Sequence, residues 1–145
     1  MIVADTNVVS EFMKDHPDES VMAWARTLAS ADLTICVVTV EEIERGIGRL
    51  PQGRRASDLQ ARWRRLLEDF EPQIAVYDVA AAQNAAAILV RAEAAGRPMG
   101  LADAQIAGIC AAHGYALATR NLHDFASVAN LKLINPFTVQ DSGQA

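Results

Sequence analysis

The sequence predicts an α/β fold in which helices flank a central, mainly parallel sheet. Short apolar runs alternate along the chain with longer helical segments, a pattern typical of parallel strands joined by helices. The 145 residues, 51% of them hydrophobic, are enough for one domain with a buried core, and no Pro/Gly/Ser-rich linker divides them. We therefore predict a single domain over residues 1–138 and a flexible tail over 139–145.

The first elements are a strand and two helices. Residues 2–4 are short, apolar and β-prone, and a helix over 8–14 follows with Thr6 or Asn7 as its N-cap. A second helix opens at residues 18–20, because apolar side chains recur at helical spacing from residue 21 to residue 28.

A buried strand and a capped helix are predicted next. The apolar run 33–38 has the length and composition of a buried strand. Thr39 then caps a helix, since Thr39 and Glu42 fit the capping-box pattern S/T-x-x-E.

The second half of the chain continues the alternation of strands and helices. The segment 50–53 breaks the preceding helix, and Gly96 and Gly114 end two of the later helices. The predicted helices cover 57–70, 79–95 and 101–112, and the predicted strands cover 74–77, 115–118 and 131–134.

Composition excludes several functional classes. The net charge of −5 argues against a surface that is basic throughout, as a general nucleic-acid binder would have. Cys36 and Cys110 lie in apolar stretches and predict reduced core thiols, and the three histidines lack metal-site spacing. The longest apolar run, 85–90, is too short for a membrane span, and no signal peptide is visible. We expect a cytoplasmic protein.

Acidic side chains recur where a parallel sheet binds its ligands, outside the carboxyl ends of the strands. Asp5 follows the first strand, Glu42 follows the second, Asp124 follows a later one, and Asp103 lies in the first turn of its helix. Carboxylates that gather repel one another unless a cation joins them. Magnesium prefers such oxygen ligands, and it assists phosphoryl displacement.

A structural explanation competes with the metal site. Acidic residues in the first turn of a helix stabilise the helix dipole without any further function. This explanation suits Glu41, on the exposed side of its helix, better than Asp5, which follows an apolar strand and gains little there. Asp103 and Asp124 are also compatible with ordinary helix capping.

Four segments resemble the motifs of PIN-domain ribonucleases, in the order of that family. The first is IVADTNVVS at 2–10, the second TVEEIERG at 39–46, the third LADAQIA at 101–107 and the fourth ATRNLHDF at 118–125. Each motif alone is weak, but together they span most of the chain. Within the family the chain is similar to VapC-type toxins, including the FitB-like branch, of bacterial toxin–antitoxin pairs.

The resemblance implies an endoribonuclease that uses Mg²⁺ or Mn²⁺ to cleave RNA. By position, Asp5, Glu42 and Asp103 would hold the ion and belong, with Asp124, to the catalytic set. The polar residues around them would orient these carboxylates or contact substrate: Thr6, Asn7, Thr119 and Asn121. The family also implies a cognate antitoxin, a homodimer, and contact with promoter DNA only through the antitoxin.

The fourth motif departs from the fullest family pattern. Some members carry Asp directly after Thr-Arg, where this chain has Asn121. An amide oxygen can accept a hydrogen bond but brings no negative charge. Either Asn121 or Asp124 completes the acidic site, and we favour one tightly held ion over two.

An arginine-rich stretch over 45–65 carries seven of the thirteen basic residues and only one acid. Arginine matches phosphate geometry, so we predict RNA contacts from Arg45, Arg49, Arg54 and Arg55. A solvated helix face, or pairing with acidic residues of a partner, explains the stretch equally well. Trp63 and residues 66–67 interrupt it and indicate either a groove, a dimer face or ordinary core packing.

Three other functions compete with this one. A non-catalytic PIN-like module that binds RNA or protein is the main alternative, although the acidic residues argue for catalysis. A haloacid-dehalogenase phosphatase needs Asp-x-Asp after the first strand, where this chain has Asp5-Thr6-Asn7. A receiver domain needs a downstream lysine, and the chain has only Lys14 and Lys132. The phosphatase and the receiver domain therefore both fit poorly.

Overall fold

The computed structural model describes residues 1–137. The predicted domain end at residue 138 and the predicted tail at 139–145 lie outside the described residues. Within them the chain forms one parallel sheet flanked by seven α-helices, which confirms the predicted fold class.

The sheet has four short parallel strands in the order β2-β1-β3-β4. They are β1 (Ile2–Ala4), β2 (Leu33–Thr34), β3 (Ala116–Ala118) and β4 (Leu133–Ile134). The central strand β1 pairs Val3 with Thr34 on one side and with Leu117 on the other. Because all four strands run the same way, their carboxyl ends lie at one edge of the sheet.

The helices connect and cover these strands. They are α1 (Thr6–Glu11), α2 (Glu19–Arg26), α3 (Val37–Gly48), α4 (Arg54–Phe70), α5 (Val79–Ala94), α6 (Leu101–His113) and α7 (Leu122–Phe125). The predicted end signals of the long helices are confirmed, since Gly96 and Gly114 both adopt positive φ just beyond α5 and α6.

Three predicted helix starts are wrong, those of α1, α3 and α4. Helix α1 begins at Thr6 and not at residue 8, because Asp5 is its N-cap in place of Thr6 or Asn7. Helix α3 begins at Val37, with Cys36 at the N-cap position and no side-chain capping bond, so Thr39 caps nothing. Thr39 lies inside the first turn and is fully buried.

Two strand predictions are also corrected. The run 33–38 keeps strand pairing only at Leu33–Thr34, because helix α3 takes over after a single bridge from Cys36 to Ala75. That same bridge is the one sheet-like contact of the predicted strand 74–77 within the described chain. Helix α4 begins three residues earlier than predicted, directly after Gly53.

The hydrophobic core lies in two clusters. One cluster joins the β1–α1 region to Trp63 of α4, and the other joins β3 to α6 and Phe125. Trp63 is 4% exposed, and residues 66–67 pack beside it. Of the three roles that the sequence left open for Trp63, the structure therefore supports core packing.

Helices α5 and α6 pack unusually closely. A Cβ atom at Gly108 would lie 2.5 Å from the carbonyl oxygen of Ala81 and 2.9 Å from the amide nitrogen of Ala85. Only glycine fits that contact, so the backbones of the two helices meet directly. This close packing fixes α6, which carries Asp103 in its first turn.

Both cysteines are free and buried, as predicted. Among the helices of residues 1–137, none is long and apolar enough to cross a membrane.

Candidate active site

Asp5 stands at the carboxyl end of the central strand β1 and is 4% exposed. Its Oδ1 accepts a hydrogen bond from the amide of Thr6 (2.8 Å), and Asp5 thereby caps α1. Its Oδ2 accepts from the hydroxyl of Thr119 (2.8 Å) and from the side-chain amide of Asn7 (3.2 Å). Both carboxylate oxygens are therefore held, by the start of α1 and by the residue that follows β3, which fixes their direction.

Thr6 joins the first acidic motif to the second. Its hydroxyl donates to Oε1 of Glu42 (2.6 Å) and lies 3.3 Å from the hydroxyl of the buried Thr39. The early start of α3 makes this possible, because it places Thr39 and Glu42 on the helix face that meets α1. Asp5 and Glu42 are thus held at the same end of the sheet by one threonine.

Asp103 enters the same electrostatic environment from α6. The pKa of Asp103 is raised to about 6, chiefly by burial and in smaller part by the negative charges of Asp5, Asp124 and Glu42. Burial also raises the pKa of Asp5, with a contribution from Glu42, against hydrogen bonds from Thr119, Thr6 and Asn7 that lower it. The four predicted carboxylates therefore interact at close range.

The fourth motif contributes a hydroxyl and backbone groups. Thr119 is fully buried, and its Oγ1 accepts from the amide of Asn121 (3.0 Å). The side-chain oxygen of Asn7 accepts from the amide of Arg120 (3.1 Å), which closes the network between the first and fourth motifs. Asp124 lies on α7 and interacts with Asp103, whereas the hydrogen bonds found for Asn121 come from its backbone.

The donor set suits a hard divalent cation in its chemistry. All four side chains offer carboxylate oxygens, and none of them has an ion-pair partner within residues 1–137. Uncompensated carboxylates that raise one another's pKa are the usual setting for a bound cation. Across the same residues, however, no three Asp, Glu, His or Cys side chains are grouped tightly enough to hold a metal ion. A common ion would require these side chains to move closer together.

The predicted RNA-contacting arginines lie away from this hydrogen-bond network, on the end of α3 and the start of α4. Arg45 is exposed and lies 3.6 Å from Glu41, which is exposed as expected. Arg54 and Arg55 line a surface cavity of about 430 Å³, while Arg49 ends α3. These side chains are accessible, as an RNA contact would require, but nothing in the geometry joins them to the carboxylates.

Sequence reasoning did not identify Arg97, which lines a second cavity together with Asp103, His123 and Asp124. The available signal was the order Gly96-Arg97-Pro98, since a glycine that ends a helix determines where the next side chain points. Arg120 was also missed as a separate feature, and its guanidinium lies 3.9 Å from the centre of the Phe137 ring.

The fold and the site define an α/β domain with a cluster of four carboxylates at the carboxyl edge of its parallel sheet. The PIN domain family model matches residues 2–131. The chain belongs to the PIN domain family, as its four motifs predicted.

Individual relatives agree along almost the whole chain. The VapC ribonuclease Y4jK of Sinorhizobium fredii is 35% identical over 138 residues, which cover 94% of this chain and 98% of that protein. The toxin FitB of Neisseria gonorrhoeae is 32% identical over 94% of this chain and 99% of its own. The structure of FitAB bound to an IR36 DNA fragment matches with a TM-score of 0.86 and 31% identity, over 94% of this chain and 96% of that one.

Proposed function

We propose that this protein is a metal-dependent endoribonuclease that hydrolyses RNA phosphodiester bonds. The observation that carries the proposal is the half-buried Asp103, whose pKa is raised by three further carboxylates, among them the buried Asp5, and which has no cationic ion-pair partner in the described residues. Membership of the PIN family and similarity to a protein named VapC ribonuclease support the same activity.

In this proposal Asp5, Glu42 and Asp103 hold one divalent cation, Mg²⁺ or Mn²⁺, and Asp124 completes the catalytic set. A bound cation would supply the positive charge that activates water and stabilises the charge developing on the phosphate. The carboxylates of the chain orient the water and accept its proton.

The neighbouring hydroxyl and amide groups act as positioning residues. Thr119 and Asn7 hold one oxygen of Asp5, and Thr6 holds Glu42. These hydrogen bonds exist before substrate binds, so the side chains lose no conformational freedom during the reaction. Asn121 supports Thr119 through its backbone amide.

We further propose that the protein is the toxin of a toxin–antitoxin pair and is neutralised by a cognate antitoxin in the cytoplasm. Similarity to the toxin FitB, and to FitAB in complex with DNA, supports this role, with promoter DNA contacted through the antitoxin. Exposed apolar residues near the Cys36–Ala75 bridge support a homodimer: Val37, Val76, Tyr77 and the 73%-exposed Val79.

The test is cleavage of total cellular RNA by purified protein freed of its partner. Reactions contain Mg²⁺, Mn²⁺ or EDTA, and the variants are Asp5→Asn and the exposed control Asp32→Asn. We expect discrete fragments that require metal, persist in Asp32→Asn and fall at least about 100-fold in Asp5→Asn. Cleavage that survives EDTA, or that Asp5→Asn retains, would contradict the mechanism.

A second candidate is a non-catalytic PIN-like module that binds RNA or protein. The observation that favours it is the spacing of the carboxylates, of which no three within residues 1–137 form a ready metal site. Folded protein that binds RNA but cleaves none of it with either metal would favour this module over the enzyme.

A further inference from the structure

A cavity of about 230 Å³ opens beside Asp103, between the turn that follows α5 and the short helix α7. Two of the four carboxylates of the candidate active site, Asp103 and Asp124, line this cavity. Arg97 and His123 line the same cavity. A single small space therefore contains both acidic and basic groups, although no ion pair within the described residues joins Arg97 to either carboxylate.

The position of Arg97 is set by the end of helix α5. Gly96 adopts a left-handed conformation with φ of 71°, and its amide donates to the carbonyl of Glu93 (3.0 Å). The amide of Arg97 donates to the carbonyl of Ala92 (2.9 Å). These two bonds form the Schellman motif, which fixes the backbone just past a helix, and Pro98 restricts it further. Arg97 is therefore attached to a rigid support.

The guanidinium of Arg97 has more N–H donors than its one side-chain contact uses. One terminal nitrogen lies 3.4 Å from Nε2 of His123, and this is the hydrogen-bond contact that the structure gives its side chain. A guanidinium carries five N–H donors in a planar fork, so most of them face the cavity or solvent. Such a fork matches the oxygens of a phosphate group.

Charge indicates what this cavity binds. An RNA strand must bring a phosphate close to Asp103, yet the surrounding carboxylates repel phosphate. We propose that Arg97, with His123 beside it, binds a backbone phosphate of RNA adjacent to the bond that is cleaved. This inference rests on the proposed ribonuclease function and adds to it a residue that holds the strand next to the acidic centre.

The test measures binding apart from cleavage. The full chain, freed of any partner, is titrated in EDTA with a short fluorescein-labelled single-stranded RNA of random sequence at several salt concentrations. The variants are Arg97→Ala and Arg97→Lys, and the matched control is Arg91→Ala, which removes an exposed arginine from the last turn of α5, shortly before Arg97. Circular dichroism checks that all three variants fold.

We expect Arg97→Ala to weaken RNA binding about tenfold, as the loss of one charge-assisted contact would. The slope of log affinity against log salt should shrink by about 0.7, the value for one phosphate contact on a single strand. Arg97→Lys should restore that slope but only part of the affinity, since the fork is lost. Arg91→Ala should bind as the unchanged protein does.

Two results would overturn the proposal. They are unchanged RNA binding in Arg97→Ala and an equal loss of RNA binding in Arg91→Ala. The ribonuclease proposal fails separately: RNA binding that depends on Arg97 without any metal-dependent cleavage would refute the enzyme and leave this phosphate site. Metal-dependent cleavage that Arg97→Ala leaves intact, with unchanged binding, would refute the phosphate site alone.

Discussion

Replacing Asp103 with Asn is expected to stabilise the metal-free protein at pH 8 by about 1 kcal/mol. The pKa of this carboxyl is raised from an ordinary 3.8 to about 6, first by burial and then by the charges of Asp5, Asp124 and Glu42. For a fully buried group that difference corresponds to about 3 kcal/mol of unfavourable free energy in the charged form. Asp103 is only half-buried, so solvent screening reduces the expected gain to about 1 kcal/mol.

The pH dependence has a definite sign. A carboxyl whose pKa is higher in the folded state binds its proton more tightly there than in the unfolded chain. In the unchanged protein this contribution to stability is fully present below pH 3.8 and is lost as the pH rises through about 6. Asn carries no charge at any pH. The advantage of Asp103→Asn is therefore largest at pH 8 and falls to about half at pH 5.

The measurement is thermal unfolding followed by circular dichroism in EDTA, at pH 5 and at pH 8. A gain of 1 kcal/mol corresponds to a rise in Tm of about 3 °C for a chain of this size. Asp32→Asn removes an exposed carboxyl and controls for the change in net charge. A lower Tm for Asp103→Asn at pH 8, or an equal gain at both pH values, would refute the reasoning.

Two further predictions concern stability alone. Gly108→Ala should destabilise the fold by about 3 kcal/mol in chemical denaturation, because the added Cβ would clash with the backbone of α5. At Gly46 an added Cβ meets open space, so Gly46→Ala should stabilise the fold by about 0.5–1 kcal/mol. Equal effects of the two would contradict the packing argument. Burial raises the pKa of Glu11, but the ammonium of Lys14 and an amide outweigh it and hold the pKa below 4.5. Glu11→Gln should therefore cost about 1 kcal/mol at pH 7, and the difference should disappear as the pH falls through that pKa; a difference that persists in acid would exclude the ion pair as its cause.

Local sequence signals predicted the fold class and the order of most elements. The strand 2–4 and the glycines that end α5 and α6 depend on nearby residues, so the sequence shows them directly. The length of a strand depends instead on its partner. The runs 33–38 and 74–77 are apolar enough for strands, yet they share only the bridge from Cys36 to Ala75. Their pairing ends where α3 begins, which propensity cannot indicate.

The sequence predicted the carboxylates of the candidate site but not all of the residues that surround them. Asp5 and Glu42 follow from the rule that parallel sheets bind ligands beyond their carboxyl ends. Thr39 fitted a capping box, but the structure buries it inside α3, beside the hydroxyl of Thr6. The order Gly96-Arg97-Pro98 indicates a fixed turn, but only the fold brings that turn and α7 to the same cavity as Asp103.

The contact between Thr119 and Asp5 joins residues that are 114 positions apart in the chain. During synthesis, β1 and Asp5 emerge first but remain without β3 and Thr119 until most of the chain has been made. At ordinary rates of translation that interval is about 6–20 s. A nascent chain that is still short of residue 119 lacks the hydroxyl that orients Asp5. The topology therefore delays assembly of the proposed catalytic centre until late in translation.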